Sequence, residues 1–315
     1  MTGHRGAILG LHLGVIGALA ALYFVLPAYH VSNLARVMVL SVFAMGYNIA
    51  FGYTGLLSLG HALFFASGLY ATGSLVQLAG WSAGPGLLAG IAAGALVALA
   101  VGLLALRTTG VAFMIVTLMF AQAGYLALLY FGAWTRGDEG FVIQQAERIL
   151  WGIDLSDPGN RYLAALALFA LCLLATLWLV ERPFGKVLVA IRENEERARM
   201  LGYNVFAYKL GAVILSGTVS AAAGAAYGLL FGYVGATFAS VQYSIFPLLW
   251  VLLGGAGTVL GPLIGTLFMF YLIDLSSGVT SAYMLVAGVV LVLVTLFAPQ
   301  GLAGLLRARL WRWLP

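Results

Sequence analysis

The sequence predicts an all-α polytopic membrane protein, on three observations. Only 8% of the 315 residues are charged while 63% are hydrophobic, whereas a soluble domain carries roughly 25% charge. No charge occurs between Arg36 and Arg107, between Lys209 and Asp274, or between Asp274 and Arg307. Each gap holds apolar runs of about 20 residues, the length that crosses a bilayer as a helix. The runs are continuous. A transmembrane barrel needs alternating segments of about 10 residues, so a barrel is excluded.

Ten spans follow in order, at 8–27, 34–52, 61–79, 87–106, 111–131, 162–180, 209–232, 240–254, 258–275 and 281–298. The first lies in the apolar run Ala7–Ala28, too long for a signal-peptide core, and reads as a retained span. Segments 240–254 and 258–275 are short and are interrupted by Pro247 and a GGAG turn. The alternative to ten spans is therefore eight plus a re-entrant hairpin. The segments between spans reach only about 30 residues, too few for a core of their own, so 1–315 reads as a single transmembrane domain.

Lysine and arginine set the orientation. Segment 181–209 carries Arg182, Lys186, Arg192, Arg197, Arg199 and Lys209, and the tail carries Arg307, Arg309 and Arg312. Both are expected in the cytoplasm, as are both termini. Loop 132–161 carries Asp138, Glu139, Glu147, Asp154 and Asp157 against three arginines, with Trp134 and Trp151 suited to an interface. It is expected outside. Arg36 then falls near the outer surface, where it can snorkel. The net charge of +5 reflects basic inner loops and is no nucleic-acid signal. Cys172 has no partner cysteine and reads as a small hydrophobe.

The stretch FGYTGLLSLGHALFFASG, 51–68, sets glycines, hydroxyls and a histidine in this oily chain. Gly52, Gly55 and Gly60 permit close helix approach or turn backbone amides toward a cavity. Thr54 and Ser58 share a face if the stretch is helical, and such hydroxyls often bond the preceding turn. His61 is either a pathway group or a structural one that bonds a neighbouring carbonyl. Helix N-termini in this stretch would suit a substrate carboxylate. Asn48 and Gln122 are expected to bond between helices. Asp274, at the outer end of a span, reads as interfacial. FGYTG at 51–55 recurs as FGYVG at 231–235 and faces the opposite side, as an inverted repeat would.

In 181–209, IRENEERARMLG reads as a short amphipathic helix with Ile191, Ala198 and Leu201 near one face. Glu195 and Arg199 form an i,i+4 pair, and Gly202 is placed to end the helix. The segment is either a solvated connector or a docking helix.

Four blocks in order, GYTGLLSLGHALFF (52–65), PFGKVLVAIRENEERARMLGYNVFAYKL (183–210), LLGGAGTVLGPLIG (252–265) and FAPQGLAGLL (297–306), carry a resemblance to the membrane permease subunits of branched-chain amino acid ABC transporters, the LivM type. The resemblance implies an importer subunit in the bacterial inner membrane. It implies a translocation path shared with a homologous second permease. It also implies two cytoplasmic ATPase subunits and an extracytoplasmic substrate-binding protein. In the family the 183–210 block contacts the ATPase, which makes Arg192, Glu193, Asn194, Glu195, Leu201 and Gly202 candidate coupling residues. Gly52, Thr54, Gly55, Ser58, Gly60 and His61 are candidates along the path. The chain has no GxxxxGK[ST] phosphate loop, so ATP and Mg are expected in the partners and no cofactor or metal in this chain.

Similar permeases carry leucine, isoleucine and valine, but also other amino acids, urea, short amides and aromatic acids, so branched-chain or related amino acids are the expected substrates and the other classes the alternative. A stand-alone secondary transporter would need intramembrane charge for ion coupling, which the spans lack. A membrane enzyme would need a paired nucleophile and base, and one histidine does not supply it.

Overall fold

The computed structural model describes residues 5–298 and 300–304. The basic tail Arg307–Arg312 and the end of the fourth block lie outside the described residues. Helices α1 (Arg5–Val25), α2 (Ala28–Asn48), α3 (His61–Gln77), α4 (Ala83–Ala105) and α5 (Val111–Tyr130) follow one another, and α2 runs on into a π-helical turn at Ile49–Tyr53. A short α6 (Gly132–Thr135) opens a loop with strands β1 (Phe141–Val142), β2 (Ile149–Leu150) and β3 (Ile153–Asp154). Then come α7 (Pro158–Glu181), α8 (Pro183–Glu193), α9 (Glu195–Met200), α10 (Val205–Phe231) and β4 (Tyr233–Val234). The chain finishes with α11 (Val241–Gly254), α12 (Gly261–Ser277) and α13 (Tyr283–Phe297).

Ten of these helices take up the ten expected apolar segments. Seven are long and apolar enough to cross a membrane; α11 and α12 are shorter apolar helices. The span formed by α2 and its π-helical turn is 89% buried, against 17% for α1 and α5. So α2 is the centre of the molecule, and α1 and α5 stand at its edge. Gln122, half-buried on the sparsely covered α5, has no interhelical bond among the described residues.

In lipid, helices gain little by hiding from water and associate through close packing. Gly68 of α3 and Gly94 of α4 both abut Ala221 of α10, and Gly224 of α10 abuts the Phe65 backbone. Backbones thus meet where larger side chains would hold them apart. Polar bonds add to the packing: the Tyr162 hydroxyl on α7 donates to Leu19 O on α1 at 2.6 Å.

Two sets of contacts mark the ends of the helix layer. At one end β1 pairs with β4 (Phe141 opposite Val234), and the Gln144 amide donates to Gln77 Oε1 at 2.7 Å. The buried Arg148 donates Nη1 to Leu230 O at 3.4 Å, close to the C-terminus of α10, where a cation suits the helix dipole. At the other end α8 packs against the π-helical turn, and α8 and α9 pack against α10. We term these the outer and inner ends. Arg36 lies with its guanidinium 5.3 Å from the Phe231 ring, near the outer end of α10.

The segment 233–244 departs from a simple span. Val234 lies against Gly73 near the outer end of α3, Phe238 meets Phe65, and Ser244 bonds Ala62 at the start of α3. The chain therefore passes inward beside α3 as strand and 3-10 turn, and α11 starts at depth. α12, by contrast, follows α2 from one end to the other, with Thr258 just ahead of it at Asn48 and Asp274 at Tyr29. Along α2 that separation is about 28 Å, close to the roughly 30 Å hydrocarbon thickness. FGYTG closes α2 at the inner end and FGYVG closes α10 at the outer end, and each leads by non-helical chain to a helix start.

Candidate functional site

The coupling candidates sit on α8 and α9. Pro183 starts α8 at its first turn, and Gly185, Val187, Leu188 and Ile191 form its buried face. The expected single helix through 191–202 is two. At Asn194 the backbone is extended, and its side-chain oxygen accepts from Arg197 N at 2.9 Å. Asn194 thus ends one helix and caps the next. Glu195 pairs with Arg199 at 3.1 Å, as its spacing predicts, and also with Lys209 at 2.5 Å.

Gly202 closes α9 as expected. Its amide donates to Arg199 O and the Tyr203 amide to Ala198 O, the double bond pattern of a Schellman motif. Gly202 has φ +87°, which only glycine adopts without strain. Leu201 does not share the buried face of Ile191 and Ala198; it is 71% exposed, beside Met200 at 84%. Ending the helix at this residue turns Leu201 outward.

Arg192 reaches from α8 into the membrane end of α2. Its Nη1 donates to Gly52 O in the π-helical turn, and its stem lies over Gly55. One turn earlier, the Asn48 side chain holds the GGAG loop from both sides. Gly257 N donates to Asn48 Oδ1 at 2.9 Å, and Asn48 Nδ2 donates to Thr258 O at 2.9 Å. A Cβ on Gly52 would strike Asn48 Oδ1, so glycine is required for this approach. One connected group thus spans the second and third sequence blocks and the start of the first. A π-turn of this kind commonly marks a functional position.

The stretch 54–60 is a laced turn rather than a helix, so Thr54 and Ser58 share no helical face. Thr54 Oγ1 donates to Ile49 O at 2.8 Å, and Ser58 Oγ accepts from Gly60 N at 3.1 Å. Leu59 N donates to Thr117 Oγ1 at 3.2 Å, and Ala62 N to Ser244 Oγ at 3.0 Å. The amides that would have met a carboxylate are therefore engaged with hydroxyls of α5, α11 and the turn itself.

His61 is 1% exposed, and its Nε2 lies 2.7 Å from Ser216 Oγ. Ser216 gives its one proton to Gly46 O at 2.5 Å. The serine must then accept from histidine, which fixes the Nε2–H tautomer. The ring also packs edge-on to Tyr47 at 4.6 Å. Ser216, Ser244 and Thr117 were not singled out in the sequence. Ser216 carries a signal in hindsight, being a hydroxyl on an Ala- and Gly-rich helix.

A profile of the family described as branched-chain amino acid transport system / permease component matches residues 29–295. The chain belongs to this family. It is thus an ABC importer permease subunit, a multi-pass protein of the inner membrane that works with other components of its transport system. The high-affinity branched-chain amino acid transport system permease protein LivM of Escherichia coli is 29% identical over 299 residues, 87% of this chain and 69% of that protein. The LivM of Salmonella typhimurium matches equally. The autoinducer 2 import system permease protein LsrC of Photorhabdus laumondii is 27% identical over 189 residues, 55% of this chain and 52% of its own. No solved structure matches the chain.

Proposed function

We propose that this permease carries a branched-chain or related amino acid inward, along a path formed with a homologous second permease. Two ATPase subunits dock on 181–209 from the cytoplasm and bind ATP and Mg, so this chain holds no cofactor. A substrate-binding protein delivers cargo to the outer loop 132–161. The observation that carries this reading is the bond from Arg192 on α8 to Gly52 at the broken end of α2. A push on α8 and α9 is thereby delivered to the helix breaks, and Asn48 passes it to the loop before α12.

Exposed apolar groups support the docking surface. Met200, Leu201 and Tyr203 stand out at the end of α9, in the pattern of an interaction patch. Glu193 and Asn194 lie at the α8–α9 break, which lets the pair seat as one unit. Gly52, Thr54, Gly55, Ser58, Gly60 and His61 then form the turn that moves with α2 and α3 at the inner end of the path. The side chains of Thr54, Ser58 and His61 are tied within the fold, which suits positioning rather than substrate contact.

The test is reconstitution with the genomically neighbouring ATPases and second permease. Leucine, isoleucine and valine uptake that requires ATP supports the reading. Uptake that persists without ATP contradicts it, as does failure of the ATPases to co-purify.

A further inference from the structure

Near the outer end of α12, Asp274 faces Tyr29 of α2, whose hydroxyl lies 2.7 and 2.8 Å from the two carboxylate oxygens. A cleft of about 360 Å³ extends inward from this carboxylate. Tyr283 and Asp274 flank its outer part, and Tyr243, Phe246, Trp250 and Phe270 form much of its wall. The Phe246 and Trp250 rings are stacked, 5.8 Å apart and within 5° of parallel. No lysine, arginine or histidine lines the cleft. The ion pairs among the described residues all lie on α9 and α10 and leave Asp274 without a cationic partner.

One carboxylate among aromatic faces is complementary to an ammonium group. The carboxylate has up to four acceptor positions and Tyr29 supplies a single proton, so capacity is left for an N–H donor. Aromatic faces attract a cation as well. The volume suits one small ligand.

We propose that this cleft is a substrate subsite, in which Asp274 takes the ammonium group of an amino acid and the aromatic wall takes its apolar side chain. The proposal rests on the preceding reading only in naming an amino acid as the ligand. It also assigns selectivity. With no cation in the lining, a deaminated acid of the same shape would set its carboxylate against Asp274 and be rejected. Aromatic acids are disfavoured on the same ground.

The test uses the assembled transporter in nanodiscs, titrated calorimetrically with isoamylammonium and with isocaproate. The amine should bind and the acid should not. Asp274→Asn should weaken amine binding by about tenfold or more, the scale of a lost charge-assisted bond, and Asp274→Glu should restore most of it. Phe246→Ala, which leaves the carboxylate in place, should weaken it by about two- to fivefold. Unchanged affinity in Asp274→Asn or in Phe246→Ala overturns the subsite, as does a wild type that binds the acid as well as the amine. ATP-driven leucine uptake by the same preparation separates the two ideas. Asp274-dependent amine binding without uptake of any branched-chain amino acid keeps the subsite and overturns the amino-acid reading. Uptake with amine binding indifferent to Asp274 does the reverse.

Discussion

Single buried polar groups hold the inner half of this permease together, and each can be tested by removing one partner. Ser216 stands between His61 and Gly46. Ser216→Ala leaves a buried imidazole N–H without an acceptor, a loss of about 1–3 kcal/mol. The paired replacement His61→Ala with Ser216→Ala should cost less than the two single changes added, because they share one interaction. Thermal melts of the four proteins measure this. If His61 only positions α3, the variants that still fold should keep the wild-type KM for uptake. A raised KM would return His61 to the path. At the outer surface, the Ser156 hydroxyl and amide bond Asp154 and hold its carboxyl below the ordinary range. A depressed folded pKa stabilises the loop above the unfolded value and loses that contribution as pH falls through the folded one. Protease resistance of loop 132–161 should therefore persist on acidification below the ordinary carboxylate range. Ser156→Ala should move its loss up toward the ordinary carboxylate range.

The elements with broken geometry are those the sequence described least well. Apolar runs revealed where helices lie because lipid demands them. The runs could not reveal that Asn194 divides α8 from α9, since a capping side chain looks like any polar residue in a polar loop. Nor could they reveal that 233–240 passes inward as strand and 3-10 turn, because tertiary bonds from Ala62 and contacts to Phe65 sustain it. Gly202, in contrast, was legible from its place after a run of helix formers. Gly202→Ala forces a β-carbon into φ +87°, at a cost of about 1–2 kcal/mol. Its main effect should be on the orientation of Leu201 and Met200. Affinity for the ATPase subunits should fall severalfold in pull-down titrations, with the melting temperature little changed. Equal affinity would show that the end of α9 is not the docking point.

For the whole molecule, sidedness follows from charge, and two groups of loops at opposite ends follow from the structure. Cys172 is the only cysteine and is buried, so surface labelling needs no prior removal of it. A cysteine placed at the exposed Trp151 should react with an impermeant maleimide in right-side-out vesicles only. One placed at Arg197 should react in inverted vesicles only. The reverse pattern would invert the topology and move the docking surface outside. The overall plan was legible because the glycine, arginine and asparagine blocks stand out against an oily background. Their meeting in space was not, since Arg192 and Gly257 lie far along the chain from the neighbouring Asn48 and Gly52 and share no periodicity with them.

The linkage from Arg192 to Gly52, with Asn48 and the loop at Gly257 behind it, is the central claim. Substrate transported per ATP hydrolysed, measured in proteoliposomes for wild type and Arg192→Ala, tests it most directly. The linkage predicts that this ratio falls by about tenfold or more, because a hydrogen bond from a charged donor, part-buried here, is worth roughly 1.5–3 kcal/mol. An unchanged ratio in a complex that still assembles would contradict it.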